Sequence, residues 1–493
     1  MNLFSILEEA AKRRPEDTAI VHDGREFRYS DLHRAAESLA LTLRKAGVQA
    51  GDKVAVFCPS SPEYIVGFFA VLRAGAIMVP FSPALKAGEV AGLTEEMELD
   101  AICYSAQFEP LFVNWAEPAL AEASLSLSES RAPLRIRLAA RRGTAQSERE
   151  QLVGINAAAI RFSSGTTAKA KGIVVSHATL MARITSDYEV PPMAREDGVL
   201  WLLSMARGLP STLGACLLGG AKLVVGDAMD PRRNLRLIRE HALSRVHATP
   251  LFYRMMVTEE GVDVGALRAV KHFFSTSASL PAEVADAFQR KFGREIVQSY
   301  GLSECGRIFL NHVEDANKRG SVGMPLTGYK VKLAPSDSES SGGDVGELLV
   351  RGAGMFDAYY KPWRLREEVL EDGWFRTGDL ARQDSDGYYW IVGRVKQMIN
   401  VGGVKVFPYE IEEMLLSHPA VDEAMVYGVP EARFGEVPRA RVKLRSGAVC
   451  TERDLMRYVN EKSSVFKALR GVEFVEEIPK TVTGKAWRRT LVA

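Results

Sequence analysis

The chain reads as an α/β protein. A large N-terminal domain of βα-layered sheets carries a small β-rich subdomain, and a C-terminal α+β domain follows. Three observations predict this. Short β-branched runs alternate with helical stretches from residue 16 to 300, the pattern of a parallel sheet covered on both faces. After residue 310 polar, Gly-rich stretches separate the strands, which turns the pattern toward antiparallel sheet. The last hundred residues then change to a compact mixture of helix and strand. At 493 residues the chain exceeds a single core, because cores stop growing beyond about 250–300 residues.

Taken in order, Leu3, Phe4, Ile6, Leu7, Ala10 and Ala11 fall at helical spacing, which predicts an amphipathic surface helix rather than a leader peptide. Asp23-Gly24 between Thr18–His22 and Glu26–Tyr29 is a hairpin signal. A helix runs from Ser30 or Asp31 to Ala46 and stops at Gly47. Lys53–Cys58 is a buried strand, Pro62–Ala74 a helix and Ile77–Pro80 a strand. Residues 123–151, rich in Ser, Arg and Glu, read as a loop or a weakly ordered edge. The strands Ala157–Phe162 and Ile173–Val175 flank a polar loop, and Ser176 is placed to cap a helix over His177–Ile184. Strands at Val199–Leu203, Ala221–Val225 and His272–Phe274 alternate with helices near Thr212–Leu218 and Leu235–Ala242. Tyr329–Leu333 and Gly346–Val350 form a hairpin around a Gly-rich turn. Near Gly393–Gln397 lies the joint, giving domains 1–395 and 396–493. Beyond it, Pro408 starts a helix, Val421–Val429, Arg439–Leu444 and Val472–Val475 are strands, and Thr451 with Asp454 forms a capping box.

Composition excludes several classes of function. A net charge of +1 gives no general attraction to nucleic acid or an anionic membrane. No apolar run is long and uninterrupted enough to span a bilayer. The five cysteines are scattered without Cys-x-x-Cys spacing, which speaks against a disulfide framework or a zinc site and for a reducing cytoplasm.

Five polar stretches carry chemistry. Ser163 to Gly172 offers the hydroxyls of Ser163, Ser164, Thr166 and Thr167, the ammonium groups of Lys169 and Lys171, and a flexible backbone at Gly165. Hydroxyls, N–H groups and lysines together can wrap phosphate, although the same composition also makes an ordinary surface turn. Tyr300-Gly-Leu-Ser303-Glu304 follows a strand ending at Gln298 and combines an aromatic face, a hydroxyl and a carboxylate. Phe375-Arg-Thr-Gly-Asp379 ends on a carboxylate with two acceptor oxygens. Gly393-Arg394-Val-Lys396 precedes the pair Gly402-Gly403. Pro479-Lys-Thr-Val-Thr-Gly-Lys485 closes the chain with a cation on a loop.

In this order the five stretches resemble the acyl-adenylate-forming superfamily of acyl-CoA synthetases, peptide-synthetase adenylation domains and luciferases. The layout is most similar to stand-alone aryl- or acyl-CoA ligases, and the resemblance covers essentially the whole chain. Two departures stand in the first loop, Ala168 for the family's glycine and Ala170 for its proline. The resemblance implies an ATP site from that loop together with Gln298, Tyr300, Asp379, Arg394 and Lys396. Thr166 and Glu304 would hold Mg²⁺. Lys485, Ser303 and Glu304 would be catalytic, and the C-terminal domain would move as a lid. Gly402 and Gly403 would approach a thiol. The acyl pocket would be lined by Met205, Arg207, Ser275, Ser277, Ala278, Arg307 and Ile308. Arg207 stands where amino-acid-activating members carry an Asp, so the expected substrate is not an α-amino acid but a hydroxy- or carboxy-aryl acid. The implied reaction joins a carboxylic acid to ATP, releasing pyrophosphate, and passes the acyl group to CoA. Three alternatives stay open: a carrier-protein phosphopantetheine as the thiol, a reaction that stops at the acyl-adenylate, or a non-catalytic nucleotide-binding homologue. A monomer or homodimer is expected.

Overall fold

The structure is a computed structural model that describes residues 2–112, 121–123, 134–139, 145–162, 171–189, 191–311, 318–335 and 345–478. The side chains of 121–123, 207–209 and 335 are not among those described. Two nine-stranded sheets dominate it. In one, Ile296–Leu302, His272–Ser275, Arg245–Ala248, Gly198–Trp201, Lys222–Val225 and Thr18–His22 run parallel, with antiparallel strands at both edges. In the other, Ala157–Phe162, Ile77–Pro80, Lys53–Phe57 and Ala101–Ser105 are the parallel centre. Tyr329–Pro335, Val345–Gly352, Phe375–Gln383 and Tyr389–Arg394 form a four-stranded antiparallel sheet. The C-terminal sheet, built on Val421–Glu431 and Gly435–Leu444, has a core of its own around Ile411, Val426, Val442 and Leu455.

Alternation along the parallel strands sorts side chains onto two faces. Trp201, His247, Phe274 and Val297 share one register row. Trp201, Phe274 and Val297 belong to the first core, while Leu200, Val246, Phe273 and Ile296 belong to the second. The His177–Glu189 and Met205–Gly219 helices cover the first face, contributing Leu180, Ile184, Leu213 and Leu217 to it. Gly214 permits their close approach, because a Cβ there would collide with Ile184.

Most expected elements appear, with local cap chemistry as read. Ser176 Oγ accepts from Thr179 N at 3.1 Å, and the Thr451–Asp454 capping box is closed in both directions. The Asp23-Gly24 turn takes positive φ at both residues. Within residues 123–151 the described part lies at the edge of the second large sheet, as one of the two readings had it, but it is strand and helix rather than loop. Leu134–Leu138 pairs antiparallel with Ala101–Ser105, and Gln146–Gly154 is a helix. That helix buries only Leu152, so it has no apolar stripe to announce it. Charge holds it instead: Glu148 meets the fully buried Lys53 Nζ at 2.6 Å. The helix expected near Thr212 begins earlier, at Met205, and carries Pro210 inside it.

Candidate active site

The Ile296–Leu302 and Gly306–Asn311 strands turn back through Ser303, Glu304 and Cys305. Glycine is required on both sides of this turn. A Cβ on Gly301 would strike the Gly306 carbonyl, and Gly306 itself has φ +73° against the Arg183 side chain. The turn is pinned from three directions. Arg183 donates Nε to Gly354 O at 2.8 Å and a terminal nitrogen to Ser303 O at 3.3 Å and Glu304 O at 2.9 Å. Phe356 N donates to Glu304 O at 2.6 Å, and the Tyr329 hydroxyl donates to Cys305 O. With its backbone committed, Glu304 keeps its carboxylate for other partners. Its Oε1 accepts from the Tyr359 hydroxyl at 3.3 Å, and the Lys171 ammonium lies 5.1 Å from the Tyr359 ring centre.

A second constellation forms where the large parallel sheet meets the four-stranded sheet. Asp379 is only 2% exposed, and its two oxygens serve different donors. The Tyr300 hydroxyl donates to Oδ2 at 2.5 Å, and Arg394 Nε pairs with Oδ1 at 2.7 Å. Thr377 braces the preceding turn, accepting from Asp379 N at 3.0 Å and donating to Leu348 O at 2.7 Å. Burial and the neighbouring Asp379 carboxylate push the Tyr300 hydroxyl well above its usual pKa, so it stays a donor.

The acyl-pocket candidates sit at the same end of the strands. Ser275 closes the His272–Ser275 strand, and its buried Oγ has no partner among the described residues. Ser277 follows with φ +74°, and Ala278 is half-buried beside it. Met205 and Ile308 are buried, and Gln298 is half-buried at a ladder position. Arg307 pairs with Asp187 at 3.4 Å, so its charge is matched within the fold. Lys396 is exposed in the short turn after Arg394. Gly402 and Gly403 occupy a hairpin tip with φ +60° and +87°, where Gly402 N donates to Phe434 O at 2.7 Å.

The structure therefore brings Tyr300, Asp379 and Arg394 together, and links Glu304 to Lys171 through Tyr359. Ser163, Ser164, Gly165, Thr166, Thr167, Lys169 and Lys485 lie outside the described residues, as does the Arg207 side chain. Arg183, Tyr329 and Tyr359 were not anticipated. Arg183 had one legible signal, a charge at helical spacing with the apolar Leu180 and Ile184. Among the described residues no three His, Cys, Asp or Glu side chains gather as a metal cage, and no helix is long and apolar enough to cross a membrane. A lone carboxylate such as Glu304 still fits Mg²⁺, which is commonly held by one or two carboxylates plus substrate phosphates.

A profile of the family described as AMP-binding enzyme matches residues 7–360, and one described as AMP-binding enzyme C-terminal domain matches 410–485. The chain belongs to the AMP-binding enzyme family. Similar proteins to this AMP-binding enzyme include a feruloyl-CoA synthase of Amycolatopsis sp, 30% identical over 96% of this chain and 95% of the relative. A 4-coumarate–CoA ligase-like protein 9 of Oryza sativa subsp. japonica is 32% identical over 95% and 87%. The crystal structure of ATP-bound MatB from Rhodopseudomonas palustris superposes with a TM-score of 0.85 at 25% identity, covering 100% of this chain and 98% of that one. This AMP-binding enzyme is an AMP-forming acid–thiol ligase: it activates a carboxylic acid with ATP as an acyl-adenylate and then forms the CoA thioester.

Proposed function

We propose that this ligase activates an aryl carboxylic acid and that the two constellations above divide the work. The observation that carries the residue roles is the convergence of Tyr300 and Arg394 on buried Asp379. A carboxylate that already accepts from two donors has the geometry to accept from the two hydroxyls of a ribose. Tyr300 would lay its ring against the adenine, and Arg394 would reach ribose or phosphate. Ser303 and Glu304, on their braced turn, would face the reacting carboxylate and Mg²⁺. The loop at 163–171 would wrap the phosphates. Lys485 would bring a mobile point charge to the oxygens that gain negative charge as the carboxylate attacks the α-phosphorus and pyrophosphate leaves. The 396–493 unit would then swing about Lys396 and bring Gly402 and Gly403 to the CoA thiol, which attacks the acyl carbonyl as AMP departs. Keeping the steps in separate arrangements protects the anhydride from water.

Two features support an aryl acid. The relatives named above include enzymes named for feruloyl and coumarate groups. Beneath the pocket lie the ion pairs Arg307–Asp187 and Arg245–Asp197 rather than the unbroken apolar lining that a long alkyl chain needs. The Arg307 pairing also favours a neutral acid body over a second carboxylate. A reducing compartment such as the cytoplasm fits the five free cysteines, four of them buried.

The test is pyrophosphate release and CoA-thioester formation over aryl, dicarboxylic, amino and fatty acids, with free CoA and no other protein. Highest kcat/KM on an aryl acid is expected; highest kcat/KM on an amino acid or a long alkyl acid rejects the assignment. Lys485→Ala is expected to abolish adenylation while ATP binding, followed by calorimetry, survives.

A further inference from the structure

One small internal space is not explained by the adenylation chemistry. It lies between the Trp201, His247 and Phe274 row and the two covering helices, and is bounded by His247, Phe274, Asp187, Arg307, Arg245 and Thr212. Its volume of about 10 Å³ leaves room for one water-sized group and no more. Thr212 stands seven residues along its helix from the pocket candidate Met205, roughly 10 Å at 1.5 Å per residue, a separation that an aromatic acid can span.

His247 is the unusual member. It is 4% exposed, stacks on Trp201 at 5.8 Å and tilts against Phe274 at 4.6 Å. Its Nε2 is sealed from solvent and has no hydrogen-bond partner among the described residues. An unsatisfied buried polar group costs about 1–3 kcal/mol, so such an atom ordinarily meets a water or a ligand. Burial, reinforced by Arg307 and Arg245, holds the imidazole well below its usual pKa and therefore neutral. A neutral ring offers one donor and one acceptor.

The charges around the space are already matched. Arg307 faces Asp187 at 3.4 Å. Arg245 donates to Pro191 O at 2.9 Å, to Pro192 O at 2.5 Å and to Asp197 at 3.2 Å. A carboxylate arriving here would bring an uncompensated buried charge, whereas a hydroxyl brings none.

We infer that this space is the far end of the acyl pocket, and that His247 Nε2 there recognises a single neutral hydroxyl at the distal end of an aromatic acid. The inference rests on the aryl-acid reading above and deepens it, making His247 a specificity-determining residue.

The experiment measures pyrophosphate release by the full-length protein with 4-hydroxycinnamate, cinnamate and 4-carboxycinnamate. The unmodified enzyme is expected to prefer 4-hydroxycinnamate over cinnamate by at least about tenfold in kcat/KM, since a site built for a hydroxyl discriminates against its absence. It should also reject 4-carboxycinnamate. His247→Phe keeps the aromatic stack and removes the nitrogen, so the preference should fall toward one, with the change in KM for the hydroxy acid. His247→Gln retains a hydrogen-bonding end and should keep part of the preference; it serves alone if His247→Phe shows no cooperative melt. An unchanged ratio in either variant that folds, or best turnover of 4-carboxycinnamate, overturns the inference. If aryl acids are activated without regard to the hydroxyl, this inference alone falls. If only alkyl acids are activated, the aryl-acid reading falls and takes it along.

Discussion

Arg183 shows how much a single buried side chain can set. It sits at 2% exposure with its guanidinium committed to the carbonyls of Ser303, Glu304 and Gly354. It acts as a positioning residue for the Ser303–Cys305 turn, which is proposed above to face the reacting carboxylate. Arg183→Met should cost about 2 kcal/mol, because the Gly354 and Ser303 carbonyls lose their donor while Glu304 O keeps Phe356 N, and urea unfolding would measure it. The same variant should lower kcat for pyrophosphate exchange more than it weakens ATP binding. Tyr300 allows a finer division, since its ring and hydroxyl have separate partners. Tyr300→Phe removes only the bond to Asp379 and should cost about 1 kcal/mol of stability, with KM for ATP within about threefold. Tyr300→Ala removes the ring and should raise KM at least about tenfold. At this scale Tyr300, Asp379 and Arg394 were each legible as chemistry-bearing residues. That they share one site followed from the family resemblance; the direct bonds from Tyr300 and Arg394 to Asp379 were not legible, because they depend on two sheets that come together only in the fold.

Elements carry constraints that no single residue states. The Ser303–Cys305 turn works because Gly301 and Gly306 let two strands reverse within three residues. Gly306→Ala forces a side chain onto φ +73° and into Arg183, so about 1 kcal/mol or more of stability should be lost, as thermal melting would show. Because the displaced part is the turn itself, adenylation should fall further than stability alone predicts. The Gln146–Gly154 helix teaches the opposite lesson. Its sequence lacks apolar periodicity, and its place is fixed by Glu148 reaching Lys53 and Tyr360. A helix held by buried charge leaves little trace in a hydrophobic pattern.

For the whole molecule, burial of imidazoles predicts acid sensitivity. His177 is held down to about 4 by burial, and His247 well below its ordinary value of 6.5. Each takes up a proton in the unfolded chain near pH 6.5 but stays neutral when folded. Their contribution is therefore complete above pH 6.5 and is lost as pH falls toward the folded values. The expected slope is about 1.4 kcal/mol per pH unit for each group, read from denaturant titrations between pH 7 and 5. Stability that is flat over that range would contradict the buried neutral state. A second expectation concerns the two lobes. Arg254, on the Pro250–Thr258 helix, donates to Asp422 of the C-terminal sheet at 3.2 Å, and Lys443 meets the same carboxylate at 3.0 Å. Asp422→Asn should change stability by less than about 1 kcal/mol, since both partners are partly exposed. It should nonetheless shift the ratio of thioester formation to adenylation, by up to about fivefold, if this contact favours one arrangement of the lobes.

By itself the sequence determined the class of fold, the family and the order of its chemical stretches. These are written in local patterns: alternation of strand and helix, cap residues, and short polar loops after apolar strands. Only the tertiary structure decided which charges are free. The sequence left open whether Arg307 is available to a substrate; Asp187, 120 positions earlier, lies beside it and decides the matter. It likewise decided that Asp379 joins Tyr300 to Arg394, and that His247 ends among aromatic rings with a nitrogen to spare. Pairing and burial depend on contacts between distant segments, and those contacts exist only once the sheets have closed over their cores.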